Sequence, residues 1–173
     1  LNGAYIGWAT DSFTPSEFDL TAHLRVGTNR LAAQVFKWTA ASWLEDQDFF
    51  RFHGIFRDVT LVRRPPVHLE DVRVTTALSD DLRHAEVAVE VRLAGVGRVR
   101  ARLGDGLELA DAGASRLSVR VGDPHLWSAE DPHLYELTIE VFDADGDLTE
   151  VVTQSVGIRR VDIVDGILRI NGQ

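Results

Sequence analysis

The chain has 173 residues, a formal net charge of −9, no cysteine and no methionine. That acidity argues against a nucleic-acid surface, which needs clustered Lys and Arg, and the missing thiols exclude disulfides, thiolate metal sites and cysteine nucleophiles. A hydrophobic fraction of 45% is that of a globular protein with a real core, and no apolar run approaches the length of a membrane span. The chain begins at Leu1 and holds no Met, so it reads as an excised or processed segment of a longer protein.

In chain order, the first strand candidates are Ala4–Ala9, a short one near Phe18, Arg30–Trp38 and Ile55–Arg63. They are too few for a sandwich with two covered faces, so this part reads as a truncated domain. Arg63-Arg64-Pro65-Pro66 marks a boundary, because prolines cannot donate to a central ladder. Beyond it the period is two. Val87, Val89, Val91 and Leu93 oppose Glu86, Glu90 and Arg92; Val99 and Leu103 oppose Arg98, Arg100 and Arg102. Leu117, Val119 and Val121 alternate with Ser118 and Arg120, and Tyr135, Leu137, Ile139 and Val141 with Glu136, Thr138 and Glu140. Gly104-Asp105-Gly106 and Asp145-Gly146 supply hairpin turns. Roughly seven strands fit between Val67 and Arg160, the number of a small immunoglobulin-like sandwich. One more hairpin follows within Val161–Gln173. The fold class is all-β.

The densest chemistry lies in Leu44–Val59, where Glu45, Asp46 and Asp48 run into Phe49, Phe50, Phe52 and Gly54. Carboxylates beside aromatic rings suit a sugar: the oxygens accept from hydroxyls and ring faces cover the apolar side of a pyranose. A solvated acidic loop over core aromatics is the competing reading. Phe50 and Phe56 are read as core, Trp43 and Phe49 as either core or stacking platform, Trp127 as packing within the second domain, and Arg57 with Asp58 as an ion pair or domain contact. Independent hydrolysis by these acids is not expected, since a retaining pair must sit about 5 Å apart across the scissile bond. Asp143, Asp145 and Asp147 read as a hairpin turn, lacking the glycine and distal Glu of an EF-hand. The scattered histidines, with no i,i+4 pair, argue against zinc.

Several segments, in order, resemble glycoside hydrolase family 2: Leu1-Asn2-Gly3, Asp11-Ser12, Ser16-Glu17-Phe18-Asp19-Leu20, Gly27-Thr28-Asn29-Arg30-Leu31, Leu44-Glu45-Asp46-Gln47-Asp48, Gly54-Ile55-Phe56-Arg57-Asp58-Val59, Leu126-Trp127-Ser128-Ala129-Glu130, Pro132-His133-Leu134-Tyr135, Val156-Gly157-Ile158-Arg159 and Asn171-Gly172. Within that family the likeness is to the large bacterial β-galactosidases. The resemblance implies the end of a jelly-roll (galactose-binding-like) sugar-binding sandwich over 1–64, an immunoglobulin-like sandwich over 65–160, and over 161–173 the lead-in to a TIM barrel that holds both catalytic glutamates, so no catalytic residue falls in this chain. It implies retaining hydrolysis of terminal β-D-galactosides by the parent enzyme, a cytoplasmic homo-oligomer without nucleic-acid or membrane partners. By resemblance Asp48 reaches the sugar and a sodium ion, while magnesium belongs, if anywhere, to the intact enzyme. Glu45 and Asp46 are read first as loop caps or partners of nearby Arg, with Glu45 and Trp43 kept as further substrate-binding candidates. The connection Ala110–Ser115 is short where some members carry a long insertion that reaches a neighbouring subunit. Two rivals stand: a free-standing carbohydrate-binding β module without enzyme activity, and a fragment of a β-glucuronidase or β-mannosidase.

Overall fold

The computed structural model describes residues 1–173 except Ser12, Glu45, Asp46, Gln47, Phe49, Arg51, Phe52 and Ala114, and only the backbone of 111–113. The chain divides into two compact units, Leu1–Leu61 and Val62–Gln173.

The second unit is a two-layer antiparallel sandwich. Its strands are β1 (His68–Leu78), β2 (His84–Ala94), β3 (Gly97–Leu103), β4 (Leu107–Glu108), β5 (Ala110–Gly113), β6 (Arg116–Gly122), β7 (Tyr135–Asp143) and β8 (Leu148–Val156). One sheet runs β1-β2-β6-β5 and the other β4-β3-β7-β8. The alternation read from the sequence sets the register of the faces. Val87 and Val89 on β2, Ala101 and Leu103 on β3, and Leu137, Ile139 and Val141 on β7 have no exposed surface. Facing layers of branched aliphatics are what a sandwich core is made of. The chain changes sheets at Leu109. That side chain is buried in the core, and its amide donates to the Ala101 carbonyl oxygen at 3.0 Å.

The outer faces are covered by charge. The Arg116 guanidinium contacts Glu86 and Glu90, each at 3.4 Å, and so spans Ala88, which sits between them on the outer face and is nonetheless buried. On the other sheet Arg102 meets Glu140 at 2.8 Å, and Arg98 lies over the Phe142 ring at 4.4 Å. Long cationic side chains with apolar stems can cover an alanine or a ring while their heads stay solvated.

The turns follow their residues. At Asp143–Asp147 the Asp143 carboxylate accepts from the Asp145 and Asp147 amides, both at 3.0 Å, so this acidic triplet is a hairpin turn. Asp165 and Gly166 carry φ of 52° and 76° between β9 (Val161–Val164) and β10 (Ile167–Ile170), the left-handed pair that a two-residue hairpin requires. Residues 110–113 are strand β5 rather than a plain connection, paired to β6. Trp127 packs in this unit: its ring lies against Gly157 and under the Arg159 guanidinium at 4.3 Å.

The first unit departs from expectation. Among its described residues there is no strand, only two 3-10 turns, Thr21–His23 and Ala40–Trp43. Segments 4–9, 30–38 and 55–63 do not pair with one another. A strand exists only with a ladder partner, and among the described residues the one backbone bond between distant segments of this unit runs from the Asn2 amide to the Arg30 carbonyl oxygen at 2.9 Å. Without a second layer there is little core. Phe50 is 76% exposed and Phe56 41%, so neither is the core residue its aromaticity implied. Phe56 instead meets the Phe13 ring edge-on at 6.2 Å. Among the described residues Arg57 and Asp58 form no ion pair; Arg57 donates to the Phe13 carbonyl oxygen at 3.4 Å and lies over the Phe56 ring. No helix among the described residues is long and apolar enough to cross a membrane.

Candidate functional site

The acidic–aromatic stretch begins on the 3-10 turn Ala40–Trp43. Thr39 and Ser42 close it reciprocally: the Thr39 amide donates to Ser42 Oγ at 2.9 Å, and the Ser42 amide is held by Thr39. A capping box of this kind satisfies two otherwise orphaned amides and fixes the exit direction of the chain. It ends on Trp43, which is 91% exposed. A large aromatic left this open is unusual, because its burial is a main source of core stability.

Asp48 follows in a turn with φ of 56°. Aspartate tolerates this left-handed conformation better than most residues, at a cost of about 1–2 kcal/mol. The side chain is exposed and has no hydrogen-bond or ion-pair partner among the described residues. Gly54, at φ 80°, turns the chain back toward Ile55. Glu45, Asp46 and Phe49 lie outside the described residues, so the structure places Asp48 and Trp43 and says nothing of Glu45.

An open carboxylate can accept from a hydroxyl and can give one oxygen to a hard cation. Of the three neighbouring acids Glu45, Asp46 and Asp48, Asp48 is the one described, and no group of three or more His, Asp or Glu among the described residues could hold a metal ion. A lone carboxylate of this kind can give one oxygen to a hard cation but does not by itself make a closed site.

Other polar residues of the first unit serve its backbone. Asn2 donates to the His23 carbonyl oxygen at 2.9 Å and to Asn29 Oδ1 at 2.8 Å, and Asn29 in turn ties Arg25 and Gly27. Asp11 accepts from the Phe13 and Thr14 amides, and the Thr14 hydroxyl foremost, with these amides, holds its carboxyl below the usual range. Asp19 is lowered likewise by the Thr21 hydroxyl and amide. This Asn2–Asn29 node is absent from the sequence reading; asparagines beside turn glycines were the available signal.

Sequence comparison bears on both units. Residues 1–65 match the profile described as "Glycosyl hydrolases family 2, sugar binding domain", and residues 67–159 match "Glycosyl hydrolases family 2". A β-galactosidase of Oenococcus oeni is 39% identical over 100% of this chain and 19% of its own length. One of Halalkalibacterium halodurans is 42% identical over 100% of this chain and 18% of its own. Among solved structures, apo β-glucuronidase from Ruminococcus gnavus matches with a TM-score of 0.54 at 26% identity, covering 63% of this chain and 19% of that one. Lactobacillus rhamnosus β-glucuronidase matches with a TM-score of 0.53 at 28% identity, over 62% and 18%.

These findings define first a class: an all-β chain joining part of a sugar-binding jelly-roll sandwich to an immunoglobulin-like sandwich. The chain belongs to glycosyl hydrolase family 2. It spans about a fifth of the length of the curated relatives it matches.

Proposed function

We propose that this chain is the non-catalytic portion of a β-galactosidase that shapes the sugar pocket and braces the catalytic barrel. The observation that carries the reading is likeness to β-galactosidases over the whole chain, at 39% to 42% identity. In this reading residues 1–64 end the sugar-binding domain, 65–160 form the sandwich, and 161–173 lead into the barrel. The parent is a cytoplasmic homo-oligomer that hydrolyses terminal β-D-galactosides with retention, its acid/base and nucleophile supplied outside this stretch. By itself the chain should not turn over a chromogenic β-galactoside.

Asp48 carries the site. Its carboxylate accepts from a sugar hydroxyl and contributes one oxygen to sodium, and Trp43 offers its open ring to the pyranose. Glu45 is a further contact of the same loop. Magnesium, if used, is held elsewhere in the parent. In the full-length enzyme Asp48→Ala should lower kcat/KM by about ten- to a hundredfold, the loss of one charge-assisted hydrogen bond and one cation ligand. Glu45→Ala should cost less. Kinetics with sodium varied against potassium, and melts as a folding control, test this; unchanged kcat/KM and sodium response in Asp48→Ala remove the residue from the site.

The structural neighbours favour one second reading, a β-glucuronidase, at 26% to 28% identity over 62% to 63% of the chain. Assay of the parent against paired galactoside and glucuronide substrates separates the two.

A further inference from the structure

The loop joining β6 to β7, residues 123–134, is organised around two histidines. The rings of His125 and His133 stack with centroids 4.0 Å apart and planes within 5°. His125 Nε2 donates to Asp131 Oδ2 at 2.6 Å, and the Tyr135 hydroxyl accepts from the His125 amide at 2.8 Å. Tyr135 also meets His133 edge-on at 4.8 Å. The backbone is tied to the same residues: the Asp131 amide donates to Ser128 Oγ at 3.0 Å and the His133 amide to the Asp131 carbonyl oxygen at 2.8 Å. Between them sits Trp127, whose amide donates to the Ile158 carbonyl oxygen at 2.9 Å and whose carbonyl accepts from Asn171 Nδ2 at 3.0 Å. The loop thus holds both ends of the β9–β10 hairpin to the sandwich.

We propose that the stacked histidines are a proton-sensitive clasp, closed while the pair carries at most one positive charge and opened by the second. A charge on His125 is met by the Asp131 carboxylate, its partner in the loop. A charge on His133 as well has no such counter-charge, since its ring nitrogens have no hydrogen-bond partner among the described residues. It then faces a like charge across the stack, and repulsion between unit charges at this distance is felt even beside water. The other titratable or charged groups on the surrounding elements are Glu130 on the loop, Tyr135 and Glu136 on β7, Asp105 on the turn packed against the Tyr135 ring, Asp123, and Arg159, whose guanidinium lies over the Trp127 ring at 4.3 Å. Arg83 holds Asp123 at 3.4 Å. Of these groups Asp131 alone bonds a ring nitrogen of the stacked pair.

Amide hydrogen exchange on the 173-residue chain, followed by NMR and corrected for intrinsic rates at each pH, tests the clasp. Protection of the His125, Asp131 and His133 amides should fall about tenfold between about pH 8 and about pH 5, while Ile139 in β7 keeps its protection. His133→Gln cannot take the second proton and should hold protection flat over that range. Asp131→Asn removes the counter-charge, so its loss should begin at higher pH than in the parent, a readout that stands even should His133→Gln fail to fold. Protection that is independent of pH in the parent, an Asp131→Asn curve superimposed on the parent's, or loss at Ile139 in step with the loop overturns the proposal.

Discussion

Gly97 and Gly157 both sit where a side chain would collide, but against different atoms. A Cβ on Gly97 would lie 2.3 Å from the Phe142 carbonyl oxygen and 2.7 Å from Val67 Cγ1. The first is backbone inside the β3–β7 ladder and cannot give way. Gly97→Ala should therefore cost about 1–3 kcal/mol, toward the upper end of overpacking effects. The three atoms nearest to a Cβ on Gly157 all belong to the Trp127 side chain, at 3.1 Å to 3.2 Å. That ring can shift by a few tenths of an ångström, so Gly157→Ala should cost less, below about 1.5 kcal/mol. Denaturant melts of the two variants check the order; equal losses would mean that the Arg159 guanidinium over the ring locks the indole. Neither glycine announces itself in the sequence, because both constraints come from neighbours distant in the chain. Asp48 is the reverse case: its chemistry was readable, but only the family resemblance picked it out from the neighbouring acids. Its exposure and left-handed backbone are structural additions.

The hairpins show why some elements were legible and others were not. On β2, β3, β6 and β7 one apolar residue in two faces the core, and a period needs several residues to show. Strands β4 and β5, of two and four residues, are too short for that, and 110–113 reads as a loop until β6 is beside it. Segments 4–9, 30–38 and 55–63 have strand-like composition but no partner, and composition cannot supply one. The β1–β2 turn illustrates what holds a hairpin closed. The Ser79 hydroxyl and the Arg83 amide donate to Asp81 Oδ1, the latter at 3.0 Å, and Leu82 takes φ of 61°. These donors, the hydroxyl foremost, hold the Asp81 carboxyl below the usual carboxylate range. A depressed carboxyl contributes stability that is present above the unfolded value and lost as pH falls through the folded one. Asp81→Ala should thus melt below the parent at neutral pH, and the gap should close as pH falls below the usual carboxylate range. A gap that persists undiminished in acid would assign the effect to turn geometry instead of charge.

The two units differ in what water can reach, and that sets how the chain should come apart. In Val62–Gln173, Leu103, Leu137, Ile139, Ile158, Val87, Val89 and Val141 are essentially fully buried in one cluster. In Leu1–Leu61 the one buried hydrophobic residue among those described is Leu1, and Tyr5, Trp8, Phe36, Trp38, Trp43 and Phe50 are exposed. The proline boundary and the change from unpaired to alternating segments made this contrast visible in the sequence; the loss of the first unit's strands did not follow from composition. Protection from proteolysis follows buried contacts and paired backbone, both concentrated in the sandwich. Dilute protease should cut first within 1–61 and leave a resistant product that begins near Val62. Ile139→Ala should remove that resistance. A cavity at the centre of the sandwich costs about 2–5 kcal/mol, a large part of the stability of a domain this size. Mass spectrometry of the products from parent and variant reads both. A resistant fragment lying within Leu1–Arg64, or an Ile139→Ala chain that is as resistant as the parent, would mean that stability resides outside the sandwich core.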